Sequence, residues 1–120
     1  MKPVLLDLAV DPLPVDRFHL IYTLMTLHHI PQVNLVLQAF SNLLEPEGWL
    51  CIADLDQEDG SFHDATFTGH NGFERAALGA RLTSLGFLEV RFDTAYLMRK
   101  IIAGLPHEYP VFLATCLKPG

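Results

Sequence analysis

The sequence predicts an α/β fold: a sheet of mostly parallel strands with one antiparallel strand near its edge, and helices packed on its faces. Three observations carry this. Short apolar runs alternate with stretches of helical periodicity, and strands separated by helices are joined by parallel crossovers. The run Phe18 to Leu24 is almost continuously apolar, as expected of a strand covered on both sides. The last two strand-like runs have no helix between them, so they are expected to pair antiparallel.

The elements follow in order. Val4 to Leu8 is a short apolar run closed by the turn signal Asp11-Pro12-Leu13-Pro14. Phe18 to Leu24 is the first long strand. Pro31 suits the first turn of a helix, and Val33, Val36, Leu37, Phe40, Leu43 and Leu44 place one apolar stripe on it. Glu45-Pro46-Glu47-Gly48 stops that helix. Trp49 to Leu55 is a buried strand, with Trp49 expected in the core. Residues 56–71 are polar and read as a long loop. Phe73 to Leu85 is a second helix favoured by Ala76, Ala77 and Ala80, with Gly86 just past its end. Leu88 to Leu97 is a strand, Ile101 to Glu108 a connection containing Gly104 and Pro106, and Tyr109 to Leu117 a last strand.

Composition narrows the function. The 120 residues fit a single domain, residues 1–120, with half of them apolar and 18% charged. The net charge of −6, with only eight Lys and Arg and no basic run, argues against nucleic acid as a partner. No apolar stretch approaches the roughly 20 residues that span a bilayer, so no membrane association is expected. The amino terminus does not read as a signal peptide, and Cys51 and Cys116 lie in apolar runs without CxxC spacing. They are expected to be buried, reduced thiols in a cytoplasmic protein. Arg75, Arg81, Arg91, Arg99 and Lys100 are scattered and read as surface charge.

Several pieces in this order resemble the carboxyl-terminal half of a class I S-adenosylmethionine-dependent methyltransferase of the type 11/12 group. Asp7 followed by Leu13-Pro14 is similar to the family's acidic residue and "LP" turn after its third strand. Phe18 to Thr23 resembles its fourth strand, with His19 where many members carry Asp, and Leu27-His28-His29 resembles the "LHH" that follows. Leu44-Glu45-Pro46-Glu47-Gly48 resembles the turn into the fifth strand, with Glu47 in place of a glycine. Leu85-Gly86-Phe87 and Tyr109-Pro110-Val111-Phe112 resemble the approaches to the sixth and seventh strands. The likeness covers Val4 to Pro119. No G-x-G-x-G loop of the kind that cradles the cofactor occurs in the chain.

The resemblance implies S-adenosylmethionine as cofactor and a methyl acceptor that cannot be named. It implies cofactor contacts from Asp7 and Leu8, with the Asp7 carboxylate accepting from the adenine amino group, and from Thr23 and Leu24 at the strand end. His28 and His29 are the catalytic candidates, since a neutral imidazole serves as general base. Asp54, Asp56 and His63 are the substrate-side candidates, placed in or before an acidic loop. Asp56-Gln57-Glu58-Asp59-Gly60 lacks calcium-loop spacing, and no metal is expected. Without the family's first strand, the run 18–24 has an open edge, which is expected to be covered by a homodimer, an exchanged segment such as Val4 to Leu8, or a second polypeptide. Two functions remain: the substrate-side part of a methyltransferase, or a non-catalytic, truncated relative acting as a dimeric or partner-binding module.

Overall fold

The computed structural model describes residues 18–30, 32–58, 62 and 70–120. The expected strand at Val4 to Leu8, and with it Asp7 and Leu8, lies outside the described residues, as does His63.

The described chain forms β1 (Phe18–Leu24), a 3₁₀ turn (Leu27–His29), α1 (Val33–Leu43), β2 (Leu44–Leu55), α2 (Arg75–Ser84), β3 (Leu88–Ile102) and β4 (Leu105–Leu117). The sheet order is β1-β2-β4-β3. β1 and β2 are parallel, and β4 runs antiparallel to both of its neighbours. Three strands therefore point one way, and the one reversed strand lies next to the edge.

Alternation along each strand sorts the sheet into two faces. Leu50, Ile52, Phe112, Ala114 and Cys116 share one face, and there Val33, Val36, Leu37 and Phe40 of α1 meet Leu78 and Leu82 of α2 in a single core. Among the described residues both helices lie on this face. On the opposite face the register sets Leu20 beside Trp49, Tyr22 beside Cys51 and Leu24 beside Ala53. Trp49, expected in the core, is 40% exposed there, and Tyr22 is 65% exposed. Its position in the period-2 pattern is odd-numbered, opposite to Leu50 and Ile52, which is why an apolar run read as wholly buried has a wet side. Leu55, Tyr109 and Val111, with Met98 and Phe62, form a smaller cluster at the far end of the same face.

The structure corrects the expected connection over Ile101 to Glu108. β3 and β4 continue through it as one hairpin, closed by Ala103 and Gly104 at φ 53° and 78°. Two successive positive φ angles match the right-handed twist of a two-residue hairpin. Gly104 is thus the turn itself. Pro106 lies beyond the part of β4 paired with β2, and at Pro110, the margin of that pairing, the carbonyl still accepts from Asp56 N–H at 3.0 Å.

Helix ends are set by neighbours as well as by local sequence. β2 begins as α1 ends, with Leu44 already extended at φ −82°, ψ 138°. Lys118 then donates from Nζ to the carbonyl oxygens of Ser41 (2.6 Å) and Leu44 (2.8 Å), which satisfies acceptors that the end of α1 leaves open.

Glu47 has φ 67°, in the left-handed region that disfavours a side chain. It is held there by its N–H on the Lys118 carbonyl at 2.9 Å and by Lys118 N–H on the Gly48 carbonyl at 2.9 Å. Replacing Glu47 with Gly removes that strain, offset in smaller part by the greater freedom glycine gives the unfolded chain, which folding must then remove. The variant is expected to be more stable by about 0.5 to 1 kcal/mol, read as a higher urea midpoint at unchanged slope.

Candidate functional site

The carboxyl ends of β1 and β2 lie side by side, and the chain leaves β1 over them. The ladder ends with Met25 N–H on the Ala53 carbonyl at 2.8 Å, and the Thr26 hydroxyl donates to the Leu24 carbonyl at 2.9 Å. The 3₁₀ turn Leu27–His29 follows.

Beneath that turn Asp54, fully buried, faces inward one step beyond Leu50 and Ile52 on the same side of β2. Its carboxylate accepts from His28 N–H at 3.0 Å, from Leu55 N–H at 2.8 Å, and from the His28 ring Nδ1 at 2.6 Å. His28 is 2% exposed. A carboxylate without water is costly unless such donors surround it. Two of these bonds tie the turn after β1 to β2, so the pair anchors that turn. His28, read as a catalytic candidate, is therefore enclosed, and Asp54, read as a substrate contact, is fully engaged with it. His29 is exposed, with its ring 4.1 Å from that of His28.

Thr23 lies in register with Ile52, on the helix-bearing face. Its buried hydroxyl oxygen has no hydrogen-bond partner. Leu24 points to the opposite face and is 60% exposed.

The expected loop over 56–71 is closed at its base by backbone pairing. Gln57 N–H donates to Phe73 (3.0 Å), Glu58 N–H to Asn71 (2.9 Å) and Phe73 N–H to Leu55 (2.9 Å). Gly72 is required here: its φ is 78°, and a Cβ would stand 2.1 Å from the Asp56 carbonyl oxygen. His70 stitches this base to the 3₁₀ turn, through its N–H on the His28 carbonyl (2.7 Å) and its Nε2–H on the Ile30 carbonyl (3.0 Å).

Asp56, another substrate candidate, is held by Arg75. The guanidinium donates from Nε to Oδ1 at 2.7 Å and from Nη2 to Oδ2 at 2.9 Å, and Nη2 also reaches the Thr94 hydroxyl at 2.8 Å. Hydrogen bonding to Asp56 holds the Arg75 pKa above its ordinary value. Arg75 thus joins the residue that follows β2 to α2 and β3, which corrects its reading as plain surface charge. An open depression of ≈ 240 Å³ lies between this loop base and α2, lined by Gln57, His70, Phe73, Glu74 and Arg81 among others. Among the described residues no group of three His, Cys, Asp or Glu side chains is arranged to hold a metal ion, and no helix is long and apolar enough to cross a membrane.

The Asp54 pairing had a signal in the sequence, the period-2 series Leu50, Ile52, Asp54. The Arg75 to Asp56 pair, 19 residues apart, had none.

No protein-family model and no curated protein matches the sequence. Solved structures do match the fold. A protein assigned as a methyltransferase in Bacillus halodurans C-125 superposes with a TM-score of 0.69 at 14% identity, over 95% of this chain and 70% of that one. A chain in a complex between the Haloferax volcanii Trm112 methyltransferase activator and a protein assigned as a methyltransferase matches at 0.68 and 16% identity, over 92% of this chain and 58% of that one. Human N-acetylserotonin methyltransferase, solved with S-adenosylmethionine, matches at 0.61 and 17% identity, over 95% and 32%. The chain therefore has the fold of part of an S-adenosylmethionine-dependent methyltransferase, and it spans from about a third to 70% of these relatives' length.

Removing the Asp54 carboxylate leaves buried donors unpaired. Asp54→Ala is expected to cost about 3 kcal/mol or more in chemical denaturation, whereas His29→Ala, at the surface, is expected to cost under about 1 kcal/mol.

The thiols supply a pH test. Burial, and secondarily the nearness of Cys51, pushes the Cys116 thiol up to about 12 from 9.0, and burial also raises Cys51. The folded chain thus keeps these protons where the unfolded chain releases them. Their contribution to stability is full below pH 9 and is expected to fall as pH rises from 9 toward 12. Thermal melts across that range, repeated on Cys116→Ala, check this: the variant's curve should be flatter.

Proposed function

We propose that this chain is the substrate-side portion of an S-adenosylmethionine-dependent methyltransferase, the rest of the cofactor cradle coming from another chain or from a longer gene product. The observation that carries the reading is the match of 89–96% of this chain to the fold of such enzymes, joined to a β1 edge that is free of Asp, Glu, Lys and Arg and unpaired among the described residues. The other sheet edge, β3, carries Glu89, Arg91, Asp93, Arg99 and Lys100. Charged residues guard an edge against pairing, and their absence leaves β1 available for it.

In doubly wound sheets ligands sit beyond the carboxyl ends of parallel strands. Thr23, with its unpartnered buried hydroxyl, and Leu24 are at that position on β1 and are assigned to the cofactor's amino end. Asp7 and Leu8 are assigned to the adenine. Bound there, the cofactor supplies an electrophilic methyl group on sulfur. The chain's own work is positioning and exclusion of water, with the surface-exposed His29 as the group placed to take a proton from an N or O acceptor. Asp54 and His28 act by holding the turn that carries His29. Asp56 is assigned with Arg75 to the substrate-side rim, together with His63.

The absence of a G-x-G-x-G loop from the chain supports a second reading, a non-catalytic module that forms a homodimer or binds a partner. A relative of this fold is found in complex with an activator protein. That precedent supports partner binding for either reading.

Calorimetric titration with S-adenosylmethionine, with molar mass read by light scattering on the same sample, tests the proposal. The chain alone is expected to give no saturable binding up to millimolar cofactor. Saturable micromolar binding by the lone chain would sink the claim that the missing loop is essential.

A further inference from the structure

The hairpin of β3 and β4 runs past the sheet to which it belongs. β4 pairs with β2 only as far as Val111, whereas β3 and β4 continue through six further pairs, from Leu97 with Pro110 to Ile102 with Leu105. At about 3.4 Å per residue this is an arm of about 20 Å beyond the carboxyl end of β2. A two-stranded ribbon alone is marginal in water. This one is braced on one face near its root. Phe62 packs edge-on against Tyr109 with ring centres 5.0 Å apart, and Tyr109 stacks with His107. Lys100 lies 4.6 Å from the centre of the Phe62 ring, and its Nζ donates to the Phe62 carbonyl.

The tip of the arm, Ile101 to Pro106, has no polar side chain. Ile101 and Pro106 share one face and Ile102 and Leu105 the other, so the tip is apolar on both sides. Ile101 is 69% exposed and Leu105 64%. The backbone suits apolar surroundings as well. In a two-residue hairpin the pair next to the turn, here Ile102 with Leu105, exchanges hydrogen bonds, and the following pair points its N–H groups outward. Pro106 belongs to that outward pair and has no N–H, so the β4 edge of the tip holds no donor that burial would strip of water. Behind the tip comes a cationic collar. Arg99 is exposed, and Lys100 and His107 face each other across the ribbon. Glu108, 3.5 Å from Arg99, is the only acid after Asp93 in the chain. The arm thus carries an excess of positive charge on a chain whose net charge is −6.

We infer that the arm is a lipid-binding element: Ile101, Ile102 and Leu105 enter the interface of an anionic bilayer, and Arg99 and Lys100 meet its headgroups. A flat protein surface covers one side of a ribbon. The boundary between headgroups and acyl chains surrounds it, as a tip apolar on both faces requires. The lengths agree. The tip reaches about 7 to 10 Å from Ile101 to the turn, and interfacial segments sit about 5 to 10 Å deep. Cations one and two residues behind Ile101 then fall at the level of the headgroups, where long basic side chains are favoured. This is a contact at the surface and asks for no spanning segment. It does not rest on the methyltransferase reading.

The test uses the full 120-residue chain and sedimentation with vesicles of phosphatidylcholine, alone or mixed with phosphatidylserine. The expected result is binding to the mixed vesicles, severalfold weaker to phosphatidylcholine alone and at high salt. Ile101→Asp combined with Leu105→Asp should weaken that binding by at least about tenfold. The same pair should leave the urea midpoint unchanged, since both side chains are exposed in the folded chain. Leu105→Trp in a Trp49→Phe background puts the only tryptophan at the tip. Its emission should shift to the blue on binding and be quenched by brominated acyl chains. The inference is overturned by failure to bind either kind of vesicle, by full binding of the double aspartate variant, or by a tip indole that stays open to aqueous acrylamide on bound protein. A dimer that the double substitution dissolves, without vesicle binding, gives the tip to a second copy and overturns the lipid assignment.

Discussion

The described fold depends on how one carboxylate is kept from water. Asp54 sits at the end of β2, on the side that should hold only apolar groups, and every bond it accepts comes from the turn above it or from its own strand's next residue. Desolvation would expel it if those donors moved. The same bonds hold His28 in place, His28 offers its carbonyl to His70, and His70 closes the base of the 56–71 loop. A chain of contacts starting at one buried charge thus positions the whole carboxyl-end rim. Buried polar networks of this kind specify a conformation more than they add stability.

A second constraint is the division of labour between faces. The helix-bearing face is closed by Phe112, Leu50 and Ile52 under two helices, and it resembles the interior of a finished domain. The other face and the β1 edge are apolar and, among the described residues, not closed. Charge is placed with discrimination: β3 has it along its length, and β1 has none. Those placements guard the edge at β3 against further pairing and leave the edge at β1 unguarded.

Much of this was legible in the sequence because it is local or periodic. The stripe Val33, Val36, Leu37, Phe40 announced α1, and the missing helix between the last two runs announced the antiparallel hairpin. The hairpin's length was hidden because Gly104 and Pro106 punctuate loops and ribbons alike, and only pairing partners tell them apart. Trp49 misled because a continuous apolar run carries no sign of which side is covered. The candidate site was legible in place but not in role. Leu27-His28-His29 marked the strand end, while the enclosure of His28 and the capture of Asp56 by Arg75 rest on contacts 26 and 19 residues apart in the chain. Such pairings leave no local trace.

The two-residue turn at Ala103 and Gly104 has a kinetic meaning. β3 and β4 meet through the shortest possible loop, so their ribbon can form on the microsecond scale of isolated hairpins. β1 reaches β2 only after α1 has been laid between them, and it is paired in the described structure on one side alone. Closing that larger loop is slower, and fewer contacts repay it. The hairpin is thus the pairing expected to form first, ahead of both the β1–β2 and the β2–β4 pairings, whose partners lie far apart in the chain.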